Sequence, residues 1–321
     1  MNRTFSLSLV LLLAAVFQVK AQQDAQFTQY MFNQLYYNPA FAGSSDGTTL
    51  TAIHRSQWFG YDGTVNQGGA PSTQLISYNS RLPQIKSGLG IYLSNDKLGP
   101  TNNLQVQTSL SRNLNLPNGG ILTVGINVGL FSSSIDYDKI VVVDPSDPIF
   151  NASGKEGQMR PDLGVGLVYR KGNFFGGLST NHLLQPKFDF GESQTSNQLN
   201  RHYYLTAGYD YSFTPQITIT PTVLLKSVSL NTYNVEMSVI GEYNNNLRAG
   251  LAYRQSESAS LIVGYKILSD RSLTLAYAFD FVVGNQSSKK PTSQELMLIY
   301  NFKSTPKIGG QRIIRTPRFR Y

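Results

Sequence analysis

Cysteine is absent from the 321 residues. Its absence excludes disulfides, thiolate nucleophiles and cysteine-ligated metal sites. Charge is scarce: Asp, Glu, Lys and Arg make up 14% of the chain, against roughly a quarter in soluble globular domains. Long apolar runs are missing as well. After residue 21 no stretch approaches the ~20 apolar residues that a membrane-spanning helix needs. The chain is therefore neither an ordinary soluble protein nor a helical membrane protein. Histidine is limited to His54, His182 and His202, whose spacing matches no metal-ligand motif. "GVG" and "GLG" sit inside alternating segments with no helix after them, which makes them poor phosphate loops. No local motif pairs a nucleophile with a base. The reading is of a non-enzyme that needs no cofactor and no metal.

What is present begins with a leader. Met1 to Ala21 has a short n-region with Arg3, an apolar run from Leu7 to Val19, and small residues at its end. This is the pattern of a secretory signal peptide cleaved before Gln22. An exported chain without cysteine suits an envelope compartment.

The net charge of +8 changes meaning once it is located. Arg3 and Lys20 leave with the leader. Lys303, Lys307, Arg312, Arg315, Arg318 and Arg320 lie beyond Phe302 with no acidic residue among them. The body from 22 to 302 then holds 19 positive and 19 negative residues. A neutral body with a basic tail gives no reason to expect nucleic-acid binding.

The body alternates. Leu122, Val124, Ile126, Val128 and Leu130 share one parity; Thr123, Gly125, Asn127 and Gly129 share the other. A period of two means strand. About fourteen such segments follow one another from 48 to 302. Most have the ~10 residues that a tilted strand needs to cross a bilayer. Short connections alternate with generally longer ones, the longest being 132–160 and 184–200. The fold class is all-β: a transmembrane outer-membrane β-barrel of about 14 antiparallel strands, with lipid outside it. An even strand number keeps both barrel termini at the short-turn, periplasmic side.

The polar parity then faces the lumen. Arg112, Arg170, Asp210, Lys226, Glu236, Glu242, Arg248, Arg254, Lys266, Asp280 and Glu295 are assigned there, with both signs mixed. Mixed signs favour a lumen filled by paired charges over an ion-selective conduit. Glycines on this parity, as in "LGVGLVY", would let a bulky group approach the wall. Val124→Arg, on the lipid side, should be costly, and Asn127→Arg, on the lumen side, much cheaper. Asp136, Asp138, Asp144 and Asp147 carry the oxygen ligands that calcium takes, although a solvated acidic loop explains them as well.

Between the leader and the first strand lies "DAQFTQYMFNQLYYNPAFAGS", residues 24–44. Read as a helix, Phe27, Tyr30, Met31 and Leu35 make one stripe. Asp24 or Thr28 would cap it, and Pro39 would end it by forcing Asn38 out of helical geometry. The stripe must be buried, and the lumen of a fourteen-stranded barrel has the room. Phe27, Tyr30, Met31, Leu35, Asn38 and Pro39 are the candidate plug. An amphipathic helix lying on the membrane at the barrel's rim is the alternative.

The run "FTQYMFNQLYYNPAFAGS" resembles the N-terminal signature of the PorP/SprF family, outer-membrane proteins of type IX secretion and gliding machinery. Further matches are "HRSQW" (54–58), "GAPSTQLISYNSRL" (69–82), "GLGIYLSNDKLGP" (88–100), "PDLGVGLVYRKGNFFGGLSTNHLLQP" (161–186) and "GLAYR" (250–254). The basic extension beyond Phe302 lies outside the family's core pattern. The resemblance implies a barrel that partners a secreted surface protein, through that protein's C-terminal domain, and the periplasmic secretion components. A FadL-like channel for small hydrophobic substrates is the alternative, because such channels carry a similar Asn-Pro-Ala element. The expected layout is a signal peptide over 1–21, a plug or helix over 22–47, a barrel over 48–302 and a basic periplasmic tail over 303–321. In that tail Arg312, Arg315, Arg318 and Arg320 are the candidate docking residues.

Overall fold

Alternation in sequence becomes alternation of exposure, with the sign reversed from a soluble protein. Along one strand Val124, Ile126, Val128 and Leu130 are exposed while Thr123, Gly125, Asn127 and Phe131 are buried. Exposed apolar side chains and buried polar ones are what a wall between lipid and a packed interior requires. The computed structural model describes residues 24–45, 47–60, 69–140, 153–190, 195–283 and 292–302.

The strands are β1 (Thr48–Ser56), β2 (Ser72–Leu82), β3 (Ser87–Leu98), β4 (Thr101–Asn115), β5 (Ile121–Asp136), β6 (Lys155–Lys171) and β7 (Phe174–Asn181). After them come β8 (Lys187–Phe190), β9 (Thr195–Gln198), β10 (His202–Tyr209), β11 (Tyr211–Thr214), β12 (Ile217–Val228) and β13 (Thr232–Tyr243). Last among the described strands are β14 (Leu247–Arg254), β15 (Ser258–Lys266), β16 (Leu273–Val282) and β17 (Thr292–Phe302). Strands β10 and β11 are two halves of one stave, interrupted at Asp210, and both pair with β12. The wall thus has fourteen antiparallel staves, each beside its sequence neighbour. Pairing of β1 with β17, from Thr48↔Phe302 to Ser56↔Gln294, closes it. Closure gives every stave a neighbour on both sides, which removes the open sheet edge that the bilayer does not tolerate.

One end carries only tight connections, at 83–86, 116–120, 172–173, 215–216, 244–246 and 267–272. The other carries the long ones. The 132–160 loop expected from sequence is shorter than that, because β5 continues to Asp136 and β6 starts at Lys155. Ser132–Asp136 and Lys155–Arg160 are largely polar on both faces. Ladder hydrogen bonds need no apolar face, so this hairpin extends past the apolar band. The 184–200 connection holds its own hairpin, β8–β9.

Two of the eleven charges assigned to the lumen are not inside it. Arg112 shares the parity of Leu110 and Leu114, is exposed, and donates from Nη1 to Ile85 O at 2.6 Å on the short-turn rim. Asp210 falls at the break between β10 and β11, where the alternation is interrupted, and is exposed.

Candidate functional site

The lumen is filled from end to end by the segment that precedes β1. Gly43 lies against Gly88 at the short-turn end, and its N–H donates to Asn79 Oδ1 at 2.5 Å. Asp24 lies at the opposite end, against His182 just past the top of β7 and Tyr204 near the top of β10. Both barrel termini sit at the short-turn end, as expected, but the chain enters the barrel wall only after descending the whole lumen from the long-loop side.

The segment is not one helix. It has a 3-10 turn at Tyr30–Phe32, a single α-turn α1 at Gln34–Tyr37, and a second 3-10 turn at Pro39–Phe41. Asp24 and Thr28 do not act as caps; their side chains bond to the wall instead. The regular helix is lost because the wall supplies partners that a helix would otherwise have to supply itself. Asn38 is extended (φ −145°, ψ 116°), as a residue before proline should be, and its Oδ1 accepts from Ala40 N–H at 2.9 Å.

Of the candidate plug residues, Phe27, Tyr30, Leu35, Asn38 and Pro39 are buried, and Met31 is half-buried against the same cluster. Phe27, Tyr36, Tyr37, Tyr92 and Tyr204 form a chain of ring contacts with centroids 5.1–5.3 Å apart. Each such side chain stabilises by about 1.5–3 kcal/mol on burial, plus about 0.5–1.5 kcal/mol per ring pair.

Glycines let the segment touch the wall. A Cβ on Gly88 would overlap Ala42, on Gly90 Leu35, on Gly125 Pro39 and Ala40, and on Gly166 Asn38. Asn38 Nδ2 then donates to the carbonyls of Leu167 (3.1 Å) and Leu178 (3.3 Å) in neighbouring staves. Asn38-Pro39-Ala40 is a close-contact motif against a glycine wall.

Higher in the lumen, charge holds the segment. Arg55 is 1% exposed and pairs with Asp280 at 2.7 Å and Glu295 at 3.2 Å. It also donates to Thr28 Oγ1 at 2.6 Å. Glu295 accepts the backbone N–H groups of Thr28 (2.7 Å) and Gln29 (2.9 Å), and Thr28 Oγ1 lies 2.8 Å from Asp280. A second network joins Lys226, Glu236, Arg254 and Glu257. Arg248 and Lys266 both reach Glu242, and Arg170 stacks over Phe41 and Phe175. The mixed signs are thus paired within the wall.

At the long-loop end His182 is sandwiched. Its Nε2 lies 2.8 Å from Asp24 Oδ1 and its Nδ1 lies 2.9 Å from Asp162 Oδ2. Burial alone would lower its pKa. The Asp24 charge and the bonds to both carboxylates outweigh burial and raise it to about 10. Burial pushes Asp24 up, but His182, His202 and Tyr204 hold it well below the usual carboxylate range. Tyr204 donates its hydroxyl to Asp24 Oδ2 at 2.5 Å. Sequence spacing had left the histidines unrelated, yet His182 and His202 meet here with ring centroids 5.3 Å apart. His54 stays exposed on β1.

The leader and the tail with Arg312, Arg315, Arg318 and Arg320 lie outside the described residues. So do Asp144 and Asp147; Asp136 pairs with Lys139 and Asp138 accepts from Gly154 N–H.

Comparison with known proteins follows the same lines. A Pseudomonas aeruginosa FadL homologue is similar over 87% of this chain and 95% of its own, with 15% identity and a TM-score of 0.46. The Ralstonia pickettii toluene transporter TbuX is similar over 86% and 94%, with 10% identity and a TM-score of 0.50. At such identities the likeness is one of fold alone. A search of curated proteins returned no match. The family model described as type IX secretion system membrane protein PorP/SprF matches residues 19–300. With its signature stretch buried in the lumen of a closed fourteen-stave barrel, the chain belongs to the PorP/SprF family of type IX secretion membrane proteins.

Proposed function

We propose that this protein docks one secreted surface protein at the outer membrane and catalyses nothing. The barrel and the family put it in the outer membrane; in this reading the long loops face outward and the short turns the periplasm, as is the rule for such barrels. The observation that carries the proposal is the occupied lumen. A folded client cannot thread a barrel whose axis is filled by residues 24–43, so capture falls to the outer loops, with the client's C-terminal domain as the bound part. The basic tail, through Arg312, Arg315, Arg318 and Arg320, would face the periplasmic secretion components. Arginine suits bidentate contacts to their carboxylates.

A FadL-like channel is the competing function. It needs a continuous apolar path, and this lumen instead presents buried ion pairs around a tightly packed segment. Deleting the gene tests the two together. Docking predicts that one or a few specific proteins leave the cell surface for the medium or disappear. An unchanged surface proteome with loss of uptake of a hydrophobic nutrient would establish the channel instead.

A further inference from the structure

The cluster at the long-loop end has the features of a metal site. Asp24, His182 and His202 each offer a donor atom, and these atoms lie within 4.8 Å of one another. The three come from separate places: the N-terminal segment, the turn after β7 and the first residue of β10. His182 keeps a left-handed backbone (φ 58°), a conformation that costs a non-glycine residue energy and is held where the surroundings require it.

The surroundings of the His182 ring match those of a ligating histidine. Such a histidine nearly always bonds through its other nitrogen to a carboxylate or carbonyl, which fixes the ring. His182 Nδ1 has Asp162 Oδ2 at 2.9 Å, leaving Nε2 toward Asp24. His202 Nδ1 has Asn200 O at 3.1 Å and Asp24 Oδ2 at 3.7 Å. His202 is 3% exposed, and its Nε2 has no hydrogen-bond partner among the described residues. A buried polar atom without a partner is costly and calls for an explanation. Beside Asp24 and His202 lies a cavity of about 20 Å³, also walled by Tyr204 and Lys226, which is room for one water as a further ligand.

We propose that Asp24, His182 and His202 bind one divalent transition-metal ion of the zinc type, with Asp162 as the positioning residue behind His182. Two imidazoles and one carboxylate are a donor set for such ions. Binding exchanges the proton on His182 Nε2 for the ion, and the proton leaves to solvent. The ion ties the start of the lumen segment to the base of the 182–201 loop, and so fastens the plug at the end facing the exterior. This inference rests on the lumen geometry and stands whether or not the protein serves a secreted client.

The test uses the untagged full chain, purified in detergent and stripped with EDTA. Zn(II) alone is added back, and bound metal is measured after gel filtration. About one ion per chain is expected, with a rise in the unfolding temperature. His202→Gln and Asp24→Asn should each abolish retention while the barrel still shows heat-modifiable migration. Asp162→Asn, which leaves all three ligands in place, should weaken binding about 10–100-fold. No stoichiometric ion on the wild-type chain overturns the proposal. So does binding by His182→Gln/His202→Gln that equals wild type, since the ion is then held elsewhere.

Discussion

At the scale of single residues, the wall separates two kinds of intolerance. Val124 is exposed to lipid, so Val124→Arg should cost about 2–4 kcal/mol near the midplane. Asn127 was expected from its parity to accept arginine cheaply. It is 2% exposed, and its Oδ1 occupies the space that a Cβ on Gly164 would need. In a filled lumen arginine overpacks, at about 1–3 kcal/mol or more. Urea-induced unfolding in detergent should therefore show both variants destabilised, and wild-type-like behaviour of Asn127→Arg would contradict the packed lumen. Gly166→Val is sharper still. Its side chain must displace Asn38, so the segment should become cleavable by added protease while the β-sheet circular dichroism is retained. Residue parity was legible in the sequence to this level: it placed Asp280 and Glu295 inside correctly. It did not place Arg112, whose parity is that of its apolar neighbours, nor Asp210, which sits where the alternation breaks. The meeting of Asp24 with His182, 158 positions apart, left no local trace.

At the scale of elements, the wall strands were readable because each carries its own alternation, but the upper ends of β5 and β6 and the β8–β9 hairpin, which lack it, were not. The N-terminal segment was readable as something buried but not in its shape. Its apolar spacing suits a helix, and only the wall, through Glu295, Asp280 and the glycines of β3, β5 and β6, decides against one. Its hold is both apolar and ionic. Phe27→Ala/Tyr30→Ala/Met31→Ala removes several kcal/mol of burial, at about 2–5 kcal/mol per large buried side chain. The wall keeps its own ladder, so the barrel should remain folded while the lumen loosens. In planar bilayers that variant should conduct ions where the wild type barely does. Arg55→Met leaves Asp280 and Glu295 buried without their cation, a loss of about 3–5 kcal/mol. It should lower the unfolding temperature by an amount comparable to the largest single plug-residue alanine substitution.

At the scale of the whole molecule, a closed wall, an occupied axis and long loops at one end support a binder that works from its surfaces. Family membership supplies the secretion context, which no physical feature of the barrel does by itself. On the proposal that the basic tail faces the periplasm, deleting residues 304–321 should leave the barrel folded and weaken a periplasmic association. Retention of every co-purifying partner after that deletion would remove the tail from the account. The central claim is that this barrel holds a protein client instead of passing a small molecule. Affinity purification from intact outer membranes, with the bound proteins identified by mass spectrometry, tests it most directly. The account predicts recovery of one secreted surface protein together with periplasmic secretion components. Recovery of the barrel alone, from membranes that had been exporting surface proteins normally, would contradict it.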